Sequence, residues 1–249
     1  IIDNLYKKEF KNSENELKKA YEERDILKTL SYLKYLSSFY YKINYKLTDD
    51  LLEDITYKIS MDFLEETYIY NCDKSIVLFY DGFGLAFRGL ANIYLKALLD
   101  LGYKIVYVLY EGTELHRMFE EIWNDYNNLI LKVIPQSPIV ERMKYLKQIV
   151  EESRAASIFL YTFPEDVAGI GTISTVKSNV KRYLIDLTDH AFWLGKCASD
   201  YFISFRNYGY NIAVQYRKID KRKMILLPYY PDNRTSYVND IMPFDLNRP

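Results

Sequence analysis

Glycine and proline are missing from the first part of this sequence: residues 3–70 hold neither, so nothing there punctuates a helix. Cysteine occurs only at Cys72 and Cys197. Two isolated thiols exclude a disulfide scaffold and a thiolate zinc site, and they lead us to expect a cytoplasmic, reducing setting. No apolar run approaches the roughly 18 residues of a spanning helix, which leaves only peripheral membrane contact open. No secretory signal opens the chain, which begins Ile1-Ile2-Asp3-Asn4-Leu5-Tyr6 and then turns polar. An initiator Met is also missing, and a piece of a longer protein is the expectation. Charge of one sign is missing too. Lys plus Arg number 33 against 34 Asp plus Glu, and a net charge of −1 excludes a general nucleic-acid binder.

Motifs of several common chemistries are absent. The two histidines, His116 and His190, are far apart, and no strand is followed by Asp-x-Asp, so no metal site is expected. There is no Gly-x-Ser-x-Gly elbow and no Walker lysine, which excludes a serine hydrolase of that type and a P-loop enzyme.

What is present falls into two blocks. Ile26, Leu27, Leu30, Leu33 and Leu36 recur at helical spacing, as do Leu51, Leu52, Ile55, Ile59 and Phe63. Thr48, followed by Asp49 and Asp50, is a suitable cap for the second run. Residues 1–70 thus form an α-helical hairpin segment of two or three helices. Its composition predicts an arm that can be deleted without loss of the rest.

From Ser75 the pattern changes. Ile76–Tyr80 is a short, wholly apolar run, as in a strand buried on both faces. A turn, an amphipathic stretch ending at Gly102, and the apolar run Lys104–Leu109 complete a βαβ unit. Further strands are predicted at Leu129–Ile134, Ser157–Tyr161, Arg182–Asp186, Tyr201–Phe205 and Met224–Leu227. Helices are predicted at Glu114–Tyr126, Pro138–Arg154, Pro164–Val176, Ala191–Ala198 and Tyr208–Lys218. This alternation specifies an α/β fold, a Rossmann-like parallel sheet of six or seven strands over residues 75–231. Residues 232–249 read as a linker or tail.

Three stretches that follow strands carry candidate chemistry, since ligands in open α/β sheets bind at the carboxyl ends of strands. Asp81, Gly82, Phe83, Gly84 and Arg88 could receive a ligand; equally, the glycines could make a tight turn and nothing more. The spacing Gly82-x-Gly84-x-x-x-x-Gly89 is not the dinucleotide fingerprint, and no acid ends the second strand, which disfavours NAD. Asp189 and His190 pair a carboxylate with an imidazole that titrates near neutrality. They and Trp193 form a site, or else they cap a helix and pack. Arg206 faces an anion, or salt-bridges Asp200 or another acid. His116, between Glu114 and Arg117, reads as a surface residue.

The stretch Ile76–Leu109 resembles the opening βαβ unit of retaining GT-B-fold glycosyltransferases. The segment Asp200–Phe205, the following helix, and Lys223-Met224-Ile225-Leu226-Leu227-Pro228 are similar to the end of that family's amino-terminal domain. Leu227-Pro228-Tyr229-Tyr230-Pro231 departs from the family's usual Ile-Pro-Asn-Gly ending. The resemblance implies the acceptor-side half of an enzyme that moves a sugar from a nucleotide-sugar donor to a glycan or glycoconjugate acceptor. It implies no metal and no cofactor, and a donor-gripping domain beyond this chain. Asp189 and His190 would be catalytic, with His190 against the transferred sugar. Asp81, Gly82, Phe83, Gly84, Arg88, Trp193 and Arg206 would bind substrate. The rival reading is a non-catalytic Rossmann-like binding or scaffold domain with the helices as a docking arm.

Overall fold

The computed structural model describes residues 2–85, 91–177 and 179–228. The expected Arg88 contact and the 232–249 tail lie outside them. Three helices open the chain: α1 (Ile2–Glu22), α2 (Ile26–Ile43) and α3 (Asp50–Leu64). Asp49, not Thr48, caps α3: its carboxylate accepts from the amides of Leu51 and Leu52. A carboxylate both accepts more strongly than a hydroxyl and favours the positive helix start.

The α/β part runs β1 (Asp73–Asp81), α4 (Ala91–Asp100), β2 (Lys104–Tyr110), α5 (Glu114–Trp123), β3 (Leu129–Ile134), α6 (Ile139–Ser153), β4 (Ala155–Tyr161), α7 (Val167–Ser174), β5 (Lys181–Ile185), β6 (Tyr201–Ser204), α8 (Asn207–Gln215) and β7 (Met224–Leu226). Gly102 ends α4 with φ +84°, its amide bonded to Leu99 O, as its place in the sequence required.

All seven strands are parallel, in the order β3-β2-β1-β4-β5-β6-β7. The direction of winding reverses between β1 and β4, which makes their carboxyl ends the topological switch point. Alternate residues of each strand serve opposite layers. Ile76, Leu78 and Tyr80 join α6 and α7 on one face, while Val77 and Phe79 join α4 and α5 on the other.

The helical segment belongs to the first of these layers. Leu30, Leu33, Leu36 and Tyr40 of α2, and Leu52, Ile55 and Ile59 of α3, share one core with Ile158 and Leu160 of β4 and with Ile170 and Ile173 of α7. α3 approaches α7 so closely that a Cβ on Gly171 would lie 2.5 Å from Ser60 Oγ. α7 explains why. Its eight residues, Val-Ala-Gly-Ile-Gly-Thr-Ile-Ser, carry no charge and all are buried. A helix without a polar face needs cover on every side, and the sheet supplies one side and α3 another. This packing runs against the expectation of a separable arm.

The helix predicted over Ala191–Ala198 is not there. Residues 186–200, between β5 and β6, form turns and irregular chain. Their apolar side chains Phe192, Trp193 and Leu194 are buried, and Phe192 meets Tyr40 edge-on at 5.4 Å. The apolar run that reads locally as a helix is a plug between the sheet edge and the helical segment.

Candidate active site on the carboxyl edge of the sheet

The loops after β1, β4, β5 and β6 all lie on one edge, because every strand points the same way. At the switch point Asp81 is fully buried. One carboxyl oxygen accepts from the amides of Phe83 (2.9 Å) and Gly84 (2.8 Å), and the other from the Tyr107 hydroxyl. Burial pushes its pKa up to about 6 against these bonds. Both oxygens are thus taken up in shaping the turn. Gly84 sits at φ +58°, where a Cβ would lie 2.5 Å from Thr113 Cβ. Gly82 donates to Tyr161 O at 2.8 Å, so the turn is fastened to β4. Phe83 is half-buried against Tyr161 and Phe163.

Asp166, which the sequence reading passed over, is the second buried acid here. It accepts from the Tyr80 hydroxyl at 2.5 Å, from the Thr162 hydroxyl, and from the Gly169 amide at 2.9 Å. Tyr80 also meets the Tyr110 hydroxyl at 2.8 Å, and the Arg142 guanidinium lies 5.5 Å from the Tyr110 ring centre. The signal was Asp166 as a helix N-cap five residues past the strand end.

His190 projects from the β5–β6 loop. Its side chain is 61% exposed, and its Nδ1 lies 3.5 Å from an oxygen of wholly buried Asp189. Asp189 is gripped by Arg206, whose Nε and Nη2 each donate at 2.5 Å. A bidentate pair fixes the carboxylate in position and direction. Arg206 is half-exposed and lies against the rings of Phe205 (5.1 Å) and Tyr208 (5.3 Å). The acid on Arg206 is therefore Asp189. Asp200 is taken by Arg182 at 2.8 Å. Trp193, expected to bind substrate, is 4% exposed and packs against Phe202 and Arg217. His116 is half-buried, its Nδ1 accepting from the Gly112 amide at 3.0 Å.

Two further residues hold the His190 loop. Arg217, with no exposed surface, donates to the carbonyls of Thr188 (3.1 Å), Asp189 (3.5 Å) and Ala191 (2.5 Å), and to that of Leu47 before α3. Burial pulls its pKa down to about 10, leaving it charged at neutrality. Glu53 of α3, also buried, accepts from the amides of Gly195 (2.9 Å), Lys196 (3.0 Å) and Cys197 (2.9 Å). Its place beside Leu52 on a buried helix face was the available signal. For Arg217 there was none, since its partners are peptide carbonyls far away in sequence.

The arrangement presents one titratable ring to solvent on a loop held from both sides. An imidazole so placed can exchange a proton or hydrogen-bond a hydroxyl. Among the described residues no group of three or more His, Cys, Asp or Glu could hold a metal ion, and no helix is long and apolar enough to cross a membrane. No protein-family model matches the chain, and no curated protein matches it.

Proposed function

We propose that this chain is the amino-terminal, acceptor-side domain of a GT-B-fold glycosyltransferase, transferring a sugar from a nucleotide-sugar donor to a glycan or glycoconjugate. The observation that carries the reading is His190: an exposed imidazole on the carboxyl edge, backed by a buried carboxylate that Arg206 holds in place. The seven-stranded parallel sheet with its switch point is the framework on which such a site is built. In this reading His190 hydrogen-bonds the transferred sugar, and a second domain supplies most contacts to the nucleotide. Submicromolar binding of a nucleotide sugar by this chain alone, read by calorimetry, would contradict that division of labour. The rival, a non-catalytic binding domain, draws support from Asp81 and Trp193, whose polar or aromatic groups are turned to internal contacts.

The test uses the complete gene product, assayed on a panel of nucleotide sugars, with kcat and melting temperature measured on the same preparations. His190→Ala is expected to cost about 2–4 kcal/mol of transition-state stabilisation, roughly 30- to 1,000-fold in kcat. Its melting temperature should stay within about 2 °C of the parent, because an exposed side chain contributes little to stability. His190→Asn should keep much of the rate if the ring positions the sugar and carries no proton. Normal kcat in both variants, or no turnover of any donor by the parent, would favour the binding-domain reading.

A further inference from the structure

Tyr208, in the first turn of α8, keeps 52% of its surface exposed on the carboxyl edge. Its ring meets the Arg206 guanidinium at 5.3 Å, and the Phe205 ring flanks the same guanidinium at 5.1 Å. The backbone beside it is fastened to the His190 loop. Gly209 lies so near Asp189 that a Cβ on it would stand 2.7 Å from Oδ2. A planar cation against the ring gives this exposed tyrosine a fixed setting, and much of the rest of the ring is open to solvent.

Arg206 spends only part of its fork. Nε and Nη2 serve Asp189, while Nη1 has no partner among the described residues. Arg206 Nη2 and His190 Nδ1 converge on one atom, Asp189 Oδ1, at 2.5 and 3.5 Å. Ring, guanidinium and imidazole are therefore neighbours in one array with Asp189 as the common anchor. Two guanidiniums, Arg206 and Arg217, both feel two buried acids, Asp186 and Asp189, so net charge alone draws nothing here. What the array offers is directional: a planar donor edge beside an aromatic ring.

We propose that this array is an acceptor subsite for an anionic saccharide, with Tyr208 as its stacking residue. The apolar C–H face of a sugar ring lies on the Tyr208 ring, and its carboxylate or phosphate accepts from Arg206 Nη1. That placement brings the sugar's hydroxyls up to His190, against which the transferred sugar is read to lie. The bound molecule is an acceptor only on the sugar-transfer reading, whereas its binding is measured without any transfer.

Saturation-transfer NMR titrations of the whole chain provide the test, with glucuronate, glucose 6-phosphate, glucose, inorganic phosphate and uridine monophosphate as probes. At least one of the two anionic sugars should bind about tenfold tighter than glucose or inorganic phosphate. Which of the two binds better tells a carboxylate from a phosphate as the group on Arg206. Tyr208→Phe should keep this binding. Tyr208→Leu should weaken it roughly five- to tenfold without moving the melting temperature, since the side chain is half in solvent. Arg206→Lys, whose single ammonium goes to Asp189, should level anionic and neutral sugars. The subsite is overturned if no sugar binds, if glucose or inorganic phosphate binds as well as the anionic sugars, or if uridine monophosphate binds tighter than they do. It is equally overturned if Tyr208→Leu leaves the affinity unmoved or Arg206→Lys keeps the preference for anionic sugars. Anionic sugar bound as expected, with no turnover by the complete gene product, would leave the subsite standing and remove the transferase reading.

Discussion

Arg217→Met is expected to lower the stability of the fold by about 3–5 kcal/mol, in the range seen when one partner of a buried polar network is removed. Met keeps most of the aliphatic stem, so lost packing is a minor part, though the guanidinium that lies 4.4 Å from the Trp193 ring centre goes with the arginine. What goes is the donor set. The carbonyls of Leu47, Thr188, Asp189 and Ala191 lose their shared partner, the last three of them at buried positions. Asp186 and Asp189 lose a nearby positive charge as well. Part of this is offset, because a buried cation no longer has to be desolvated. The offset is incomplete: burial has pulled the guanidinium down only to about 10. Arg217→Lys restores the charge but not the planar fork, and one ammonium cannot serve four carbonyls spread around it. It should recover less than half of the loss. Urea or guanidinium denaturation of the two variants beside the parent measures this. A loss under about 1 kcal/mol in the Met variant would mean that the loop is held by its apolar side chains and by Glu53 without Arg217.

The difference between what could and could not be read from the sequence has a physical cause. Strand positions were legible because each strand is a short apolar run, buried on both faces, between polar or glycine-containing turns. The placement of His190 beside Asp189 was legible in part, because a rare histidine beside an acid follows one of those runs. The loop over Ala191–Ala198 was not. Its apolar residues satisfy a helical pattern locally, yet its conformation is set by Glu53 and Arg217, which bond its backbone from 26 to 144 residues away. Periodicity in a short window carries no information about a carboxylate brought in by tertiary packing. The internal partners of Asp81 were not legible for a related reason. Position at a strand end marks a residue as able to meet a ligand, but the donors that consume its oxygens, Tyr107 above all, come from the neighbouring strand. One signal was in the sequence and went unused. Val167–Ser174 has no polar face, which already required a further layer over it.

That layer leads to the largest effect expected of any change to this chain. Removing residues 1–68 should abolish the folded α/β domain, not release it. Stripping α2 and α3 uncovers Ile170 and Ile173 on α7 and Phe192 in the loop, all now fully buried. At about 1.5–3 kcal/mol for each such side chain, the loss is roughly 5–9 kcal/mol. A domain of this size has only about 5–15 kcal/mol in total. The polar losses add to it. Glu53 takes away three charge-assisted bonds to the loop backbone, and Arg217 is left without Leu47 O. Thr67, within the deleted part, bonds the backbone on both sides of Val176 and so ties down the end of α7. The product should be collapsed or aggregated, with far-ultraviolet circular dichroism partly retained and near-ultraviolet signal lost. Size-exclusion chromatography and a thermal melt of 69–249 provide the measurement. A smaller excision distinguishes general loss of cover from loss of the specific anchor. Glu53→Gln keeps the apolar layer and the shape of the side chain but removes the charge, and it should leave a cooperative melt at lower temperature. If 69–249 itself melted cooperatively as a monomer, α7 would have to find other cover, and the helices would be an arm after all.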